Sequence, residues 1–123
     1  MTKGIKDKNK TTSEVIIYGI QEKKGSDIVR LDLRSIKTSV SDYFIICHAD
    51  SATQVRAIAN SVEFEMTKEL GEEPWRKEGF ENGEWVLLDY INVVVHVFQK
   101  DTRYHYGVEE LWGDAEIVIY KTA

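Results

Sequence analysis

Residues 42–71 read DYFIICHADSATQVRAIANSVEFEMTKELG. Asp42 to Ala49 is apolar on both alternating sets of positions, the pattern of a strand covered on both faces. Asp50-Ser51 then opens a helix. Ser51 and Gln54 have the spacing of a capping box, in which each side chain satisfies the other's free backbone N–H. Val55, Ile58, Ala59, Val62, Met66 and Leu70 fall on one stripe, and Gly71 closes it. A buried strand followed at once by a long one-sided helix is a crossover, and a crossover implies a sheet.

On the N-terminal side, Thr11 and Glu14 repeat the capping-box spacing, and Val15, Ile16, Tyr18 and Ile20 follow at helical intervals. A helix over 12–24 is predicted, ended by Lys23, Lys24 and Gly25. Asp27 to Arg34 alternates, with Val29, Leu31 and Leu33 on one face, and predicts a half-buried strand. On the C-terminal side, Pro74 interrupts, Trp75 to Glu78 predicts a short strand, and Asn82-Gly83 is a tight-turn signal. EWVLLDY (84–90) and VVVHVFQ (93–99) are β-rich runs joined by Ile91-Asn92, so an antiparallel meander is expected. Asp101-Thr102 can cap a last helix ending at Gly113, and Glu116 to Tyr120 alternates as a small extra strand would. The order is α-β-β-α-β-β-β-α, which favours one α+β domain with a mixed sheet over residues 12–123, behind a flexible basic tail at 1–11.

The 123 residues suit one domain and carry a formal net charge of −5. Residues 1–10 hold four lysines and one aspartate, a net of +3. From Glu63 to Asp89 nine acids face three bases, a net of −6. A body this acidic repels bare phosphate backbone and attracts a basic protein, so direct DNA binding is not expected. One cysteine, Cys47, excludes an internal disulfide framework and suits a reducing compartment. No apolar run approaches the roughly 20 residues of a membrane helix, and the lysines at the start precede no apolar core. A cytoplasmic location without membrane attachment is expected.

Chemistry finds little footing. The eight glycines have neither Rossmann nor P-loop spacing. Cys47 lies mid-strand among Ile45, Ile46 and Ala49, where a thiol is usually a small hydrophobe. His48 points to the opposite face from Cys47, and no His-x-x-x-His or Cys-x-x-Cys pair exists, so no metal is expected. The element order also occurs in nucleotidyl-transferring enzymes, which hold magnesium with two carboxylates two apart on a strand. Here Phe44 follows Asp42, Ile91 follows Asp89 and Arg34 follows Asp32. The acid pair Glu63 and Glu65 is two apart but sits on a helix, about 200° apart. No catalytic carboxylate pair and no cofactor are expected.

What remains is surface. Trp75, Trp85, Tyr90, Tyr104, Tyr106 and Trp112 crowd the second half beside Glu78, Asp89, His96 and Arg103. Large aromatics dominate cores, and they also anchor interfaces; both readings stay open. Along 84–90, Val86, Leu88 and Tyr90 share the face that looks like core. Trp85, Leu87 and Asp89 share the other.

Three blocks carry a resemblance: SDYFIICHADSATQVRAIA (41–59), KEGFENGEWVLLDYINVVVHVF (77–98) and RYHYGVEELWGDA (103–115). With their order and spacing, the chain resembles the ribosomal silencing factor family, also called Iojap-like, from about Asp32 to Ala115. The resemblance implies a nucleotidyltransferase-like fold without its catalytic carboxylates, and a non-enzymatic protein. It implies binding to the large ribosomal subunit through its fourteenth large-subunit protein. Occupying that face would block joining with the small subunit and lower translation when nutrients run short. A role in large-subunit assembly and pairing as a homodimer are also implied. The matched positions are Asp42, Tyr43, Glu78, Gly79, Trp85, Asp89, His96, Phe98, Arg103, Tyr106 and Trp112. Glu78, Trp85, Asp89 and His96 are the expected partner face, with Asp42, Arg103 and Tyr106 in the wider set. Tyr43, Phe98 and Trp112 are expected to pack. Ile91-Asn92 replaces the family's usual glycine and aspartate, so that turn is expected to bend differently. Gly107 replaces a frequent aspartate and is expected to weaken the last helix.

Overall fold

The computed structural model describes residues 11–37, 39 and 41–122. The basic tail expected at the N-terminus therefore lies, up to residue 10, outside the described residues. Elements follow in the order α1 (Thr12–Glu22), β1 (Ser26–Asp32), β2 (Tyr43–Ala49), α2 (Ala52–Leu70), β3 (Arg76–Glu78), β4 (Trp85–Asp89), β5 (Val93–Gln99), α3 (Lys100–Tyr106), α4 (Val108–Leu111) and β6 (Glu116–Tyr120). Six strands form one mixed sheet ordered β3-β4-β5-β2-β1-β6. β2 and β5 run parallel, in register from Tyr43 against Val93 to Ala49 against Gln99, and the other pairs are antiparallel. The expected meander is thus present as β3-β4-β5. β2 sits inside the sheet, which is why its sequence is apolar on both faces.

α1 and α2 cover one face. Val15, Ile16, Ile20, Ile58, Val62 and Met66 meet Ile28, Ile45, Cys47, Val86, Leu88, Val95 and Val97 there, all buried. The two helices cross closely at Gly19. A Cβ at that position would lie 2.9 Å from the Val62 Cα, and Ser61 Oγ donates to the Gly19 carbonyl at 2.7 Å. The second face buries Val29, Leu31, Leu33, Ile46 and Phe98 beneath Val108 and Ala115.

Four local expectations need correction. α1 stops at Glu22, because Lys23 leaves helical geometry. The box at Ser51 is half made: Ser51 Oγ accepts from the Gln54 N–H at 3.1 Å, but the Gln54 side chain donates to the Lys23 carbonyl at 3.3 Å instead, tying α2 to the end of α1. The last helix is two helices, split where Gly107 turns left-handed at φ +56° and its N–H caps the Arg103 carbonyl. Finally, the expected order gains α4 and β6: 116–120 forms the extra strand its alternation suggests, at the sheet edge and paired antiparallel to β1.

Candidate partner-binding face

Strand alternation builds the site. Val86 and Leu88 of β4 point to the helices, so Trp85, Leu87 and Asp89 point away. Across the ladder Trp85 faces Phe98, Leu87 faces His96 and Asp89 faces Val94. β3 adds Arg76 opposite Asp89 and Glu78 opposite Leu87. Gly79, at φ +89°, lets the chain turn against β4. A Cβ there would sit 2.0 Å from the Trp85 carbonyl oxygen.

Trp85 is the hub. Its Nε1–H donates to His96 Nδ1 at 3.1 Å, and its ring lies 4.8 Å from Phe98 and 5.2 Å from Tyr106. His96 packs against Phe44 at 4.6 Å, and Phe44 meets the edge of Trp112 at 5.8 Å. These separations suit tilted and edge-to-face aromatic packing. His96 is 4% exposed, and burial lowers its pKa to about 4. Because Nδ1 accepts, the proton sits on Nε2, which is buried with no partner among the described residues. Asp89 Oδ1 accepts from the Ile91 N–H at 2.7 Å, and Oδ2 lies 3.6 Å from Arg76 Nη2. Arg76 Nη1 reaches Glu78 Oε2 at 3.4 Å. Two shallow cavities are lined by the residues that Arg76 meets. One of about 300 Å³ is lined by Glu78, Gly79, Trp85 and Leu87. The other, of about 310 Å³, is lined by Ser41, Trp75, Asp89 and Ile91.

The structure thus gathers Glu78, Trp85, Asp89, His96 and Tyr106 on or beside one face. It does not bring Asp42 or Arg103 there. Asp42 is exposed beside the start of α1, lining a cavity with Thr11, Arg30, Tyr43 and Asn92. Arg103 is 4% exposed and spent internally. Its Nε and Nη2 donate to the two Glu109 carboxylate oxygens, both at 3.0 Å, and Nη1 donates to His48 Nδ1 at 2.9 Å. Burial, then Arg103, lowers the His48 pKa. The residue that sequence reasoning missed is Arg76. Its signal, a cation two before Glu78, acquires meaning only once β3 is registered against Asp89.

For chemistry the face offers little. Cys47 is buried on the helix side, its thiol pushed up to about 12 by burial, far from a nucleophile. Among the described residues no three of His, Cys, Asp and Glu group as a metal site would. No helix of the described residues is long and apolar enough to cross a membrane.

Residues 6–122 match the family described as ribosomal silencing factor during starvation. The chain belongs to the ribosomal silencing factor family. Within that family it is 41% identical over 110 residues to "Ribosomal silencing factor RsfS" of Halalkalibacterium halodurans, covering 89% of this chain and 92% of that protein. It is 42% identical over 108 residues to the protein of the same name in Bacillus subtilis, covering 88% and 90%. A crystal structure of a Chromobacterium violaceum protein superposes with a TM-score of 0.78 at 39% identity, covering 91% of this chain and 92% of that one. The family's fold is therefore the mixed α+β sheet described above, and these relatives are named for silencing ribosomes rather than for a reaction.

Proposed function

We propose that this chain binds the large ribosomal subunit at its fourteenth protein through the open sheet face, and so keeps the small subunit from joining. The role is binding, with no chemical step, and it lowers translation when nutrients run short. The observation that carries the reading is Trp85: half-buried, backed by His96, Phe98 and Tyr106, lining a cavity with Glu78 and sharing its strand face with Asp89, in a chain of this family. A large aromatic held rigidly amid acids is the anchor a basic protein surface needs.

Co-sedimentation with separated subunits tests it. The chain should comigrate with large subunits alone and reduce joined ribosomes when both are mixed. Trp85→Ala should weaken binding by about 2 kcal/mol or more while the protein stays folded. Unchanged affinity in a folded variant rejects this face. Pairing of two copies, implied by the same resemblance, has a free edge in β6, where Ile117 and Ile119 are exposed. Sedimentation of the free protein decides between monomer and dimer.

A further inference from the structure

Arg76 occupies an unusual place for a surface cation. Its guanidinium carbon lies 5.7 Å from the centre of the Trp75 ring, and its nitrogens lie 3.6 Å from Asp89 and 3.4 Å from Glu78. None of these contacts is at hydrogen-bond distance. The Asp89 side chain is only 14% exposed, yet among the described residues its Oδ2 has just this loose contact, while Oδ1 is committed to the Ile91 N–H. Around it, Trp75 is 69% exposed and Ile91 58% exposed, two large apolar side chains at the mouth of one cavity. An aromatic face, an aliphatic wall and a half-buried carboxylate with spare acceptor capacity are what an arginine or lysine side chain requires: cation–π contact, stem burial and a counter-ion. From Glu72 to Asp89 six acids face two bases, so the surroundings favour a cationic visitor.

We propose that the cavity of Trp75, Ile91, Ser41 and Asp89 is a second anchoring subsite, which takes a basic side chain of the protein partner, and that Arg76, the cation paired with Asp89 in the free chain, is displaced from that carboxylate on binding. The proposal rests on the reading above, in that the partner is a basic protein of the large subunit. Arg76 is then a built-in competitor. The cavity adds specificity, because an apolar or acidic side chain would leave Asp89 without a cation once Arg76 is displaced.

Affinity for purified large subunits tests it, using Arg76→Ala, Trp75→Ala and Lys77→Ala, with Arg76→Ala repeated in an Asp89→Asn background. Asparagine keeps an oxygen for the Ile91 N–H and removes the charge. Arg76→Ala should tighten binding about threefold, the scale of one exposed ion pair. Trp75→Ala should weaken it about tenfold, as loss of an interface tryptophan does. Lys77→Ala makes the same charge change outside the cavity, since Lys77 turns to the helix side and pairs with Glu63 at 3.1 Å. It should not tighten binding. In the Asp89→Asn background the gain from Arg76→Ala should vanish. Weaker binding by Arg76→Ala, equal tightening by Lys77→Ala, or a gain that survives Asp89→Asn each overturns the subsite. Failure of the wild-type chain to bind large subunits overturns the functional reading itself, and the two failures are thereby distinct.

Discussion

The indole N–H of Trp85 donates to Nδ1 of His96 across the β4–β5 ladder, 3.1 Å apart. The bond makes Trp85 a fixed part of the sheet face and selects the Nε2–H tautomer of His96. Trp85→Phe keeps an aromatic ring and leaves Nδ1 without its donor. It should lower stability by about 1–3 kcal/mol, read as a shift in the urea midpoint at constant slope. No shift would mean that the hydrogen bond contributes nothing.

The same histidine sets a pH dependence. Burial lowers its folded pKa to about 4, against an ordinary value of 6.5. Folding therefore favours the neutral ring. The stability this supplies is complete above pH 6.5 and is lost as pH falls toward 4, on the order of 3 kcal/mol in all. His48, lowered by burial and Arg103, acts in the same direction. Urea melts at pH 7 and pH 4.5 should show the loss, and His96→Gln should flatten it. An identical slope in the variant would assign the effect to other groups.

Ile91 carries a backbone penalty. It sits at φ +75°, where a β-branched residue is strained, and its N–H still caps Asp89. Ile91→Gly should raise stability by about 1 kcal/mol, the left-handed penalty net of glycine's greater unfolded entropy. Thermal melts check the sign. The turn between β4 and β5 is thus left-handed at Ile91 without a glycine there.

Gly79 is the opposite case. A Cβ would lie 2.0 Å from the Trp85 carbonyl oxygen, which is backbone and cannot yield without moving β4. Gly79→Ala should cost about 2 kcal/mol or more and also disturb Trp85. Near-ultraviolet circular dichroism with a urea melt reads both. A variant of wild-type stability and spectrum would contradict the close approach.

Arg103 holds α3 and α4 to β2 by its paired bonds to Glu109 and its bond to His48. Arg103→Lys keeps the charge and loses the planar fork. It should destabilise by about 2–3 kcal/mol, with little rescue over Arg103→Met. A lysine variant of wild-type stability would show that charge alone suffices.

Much of this architecture is visible along the chain. The apolar run at 43–49 marks a strand inside the sheet, the stripe from Val55 to Leu70 marks the helix that covers it, and the alternation at 85–89 marks which face Trp85 takes. The broken last helix is less visible: Gly107 is a warning in sequence, but its left-handed φ is settled only by where Val108 must pack. Arg103 reads as a candidate surface cation until α3 folds it onto His48.

The sequence by itself determined most of the elements and the faces of β2, α2 and β4, because side-chain periodicity and cap spacing are local properties fixed within a few residues. Only the tertiary structure decided which cation meets which carboxylate: Arg76 with Asp89 and Glu78, Arg103 with Glu109. Those pairings depend on strand register and helix docking between segments up to 13 residues apart, where a slip of one residue turns each side chain to the other face.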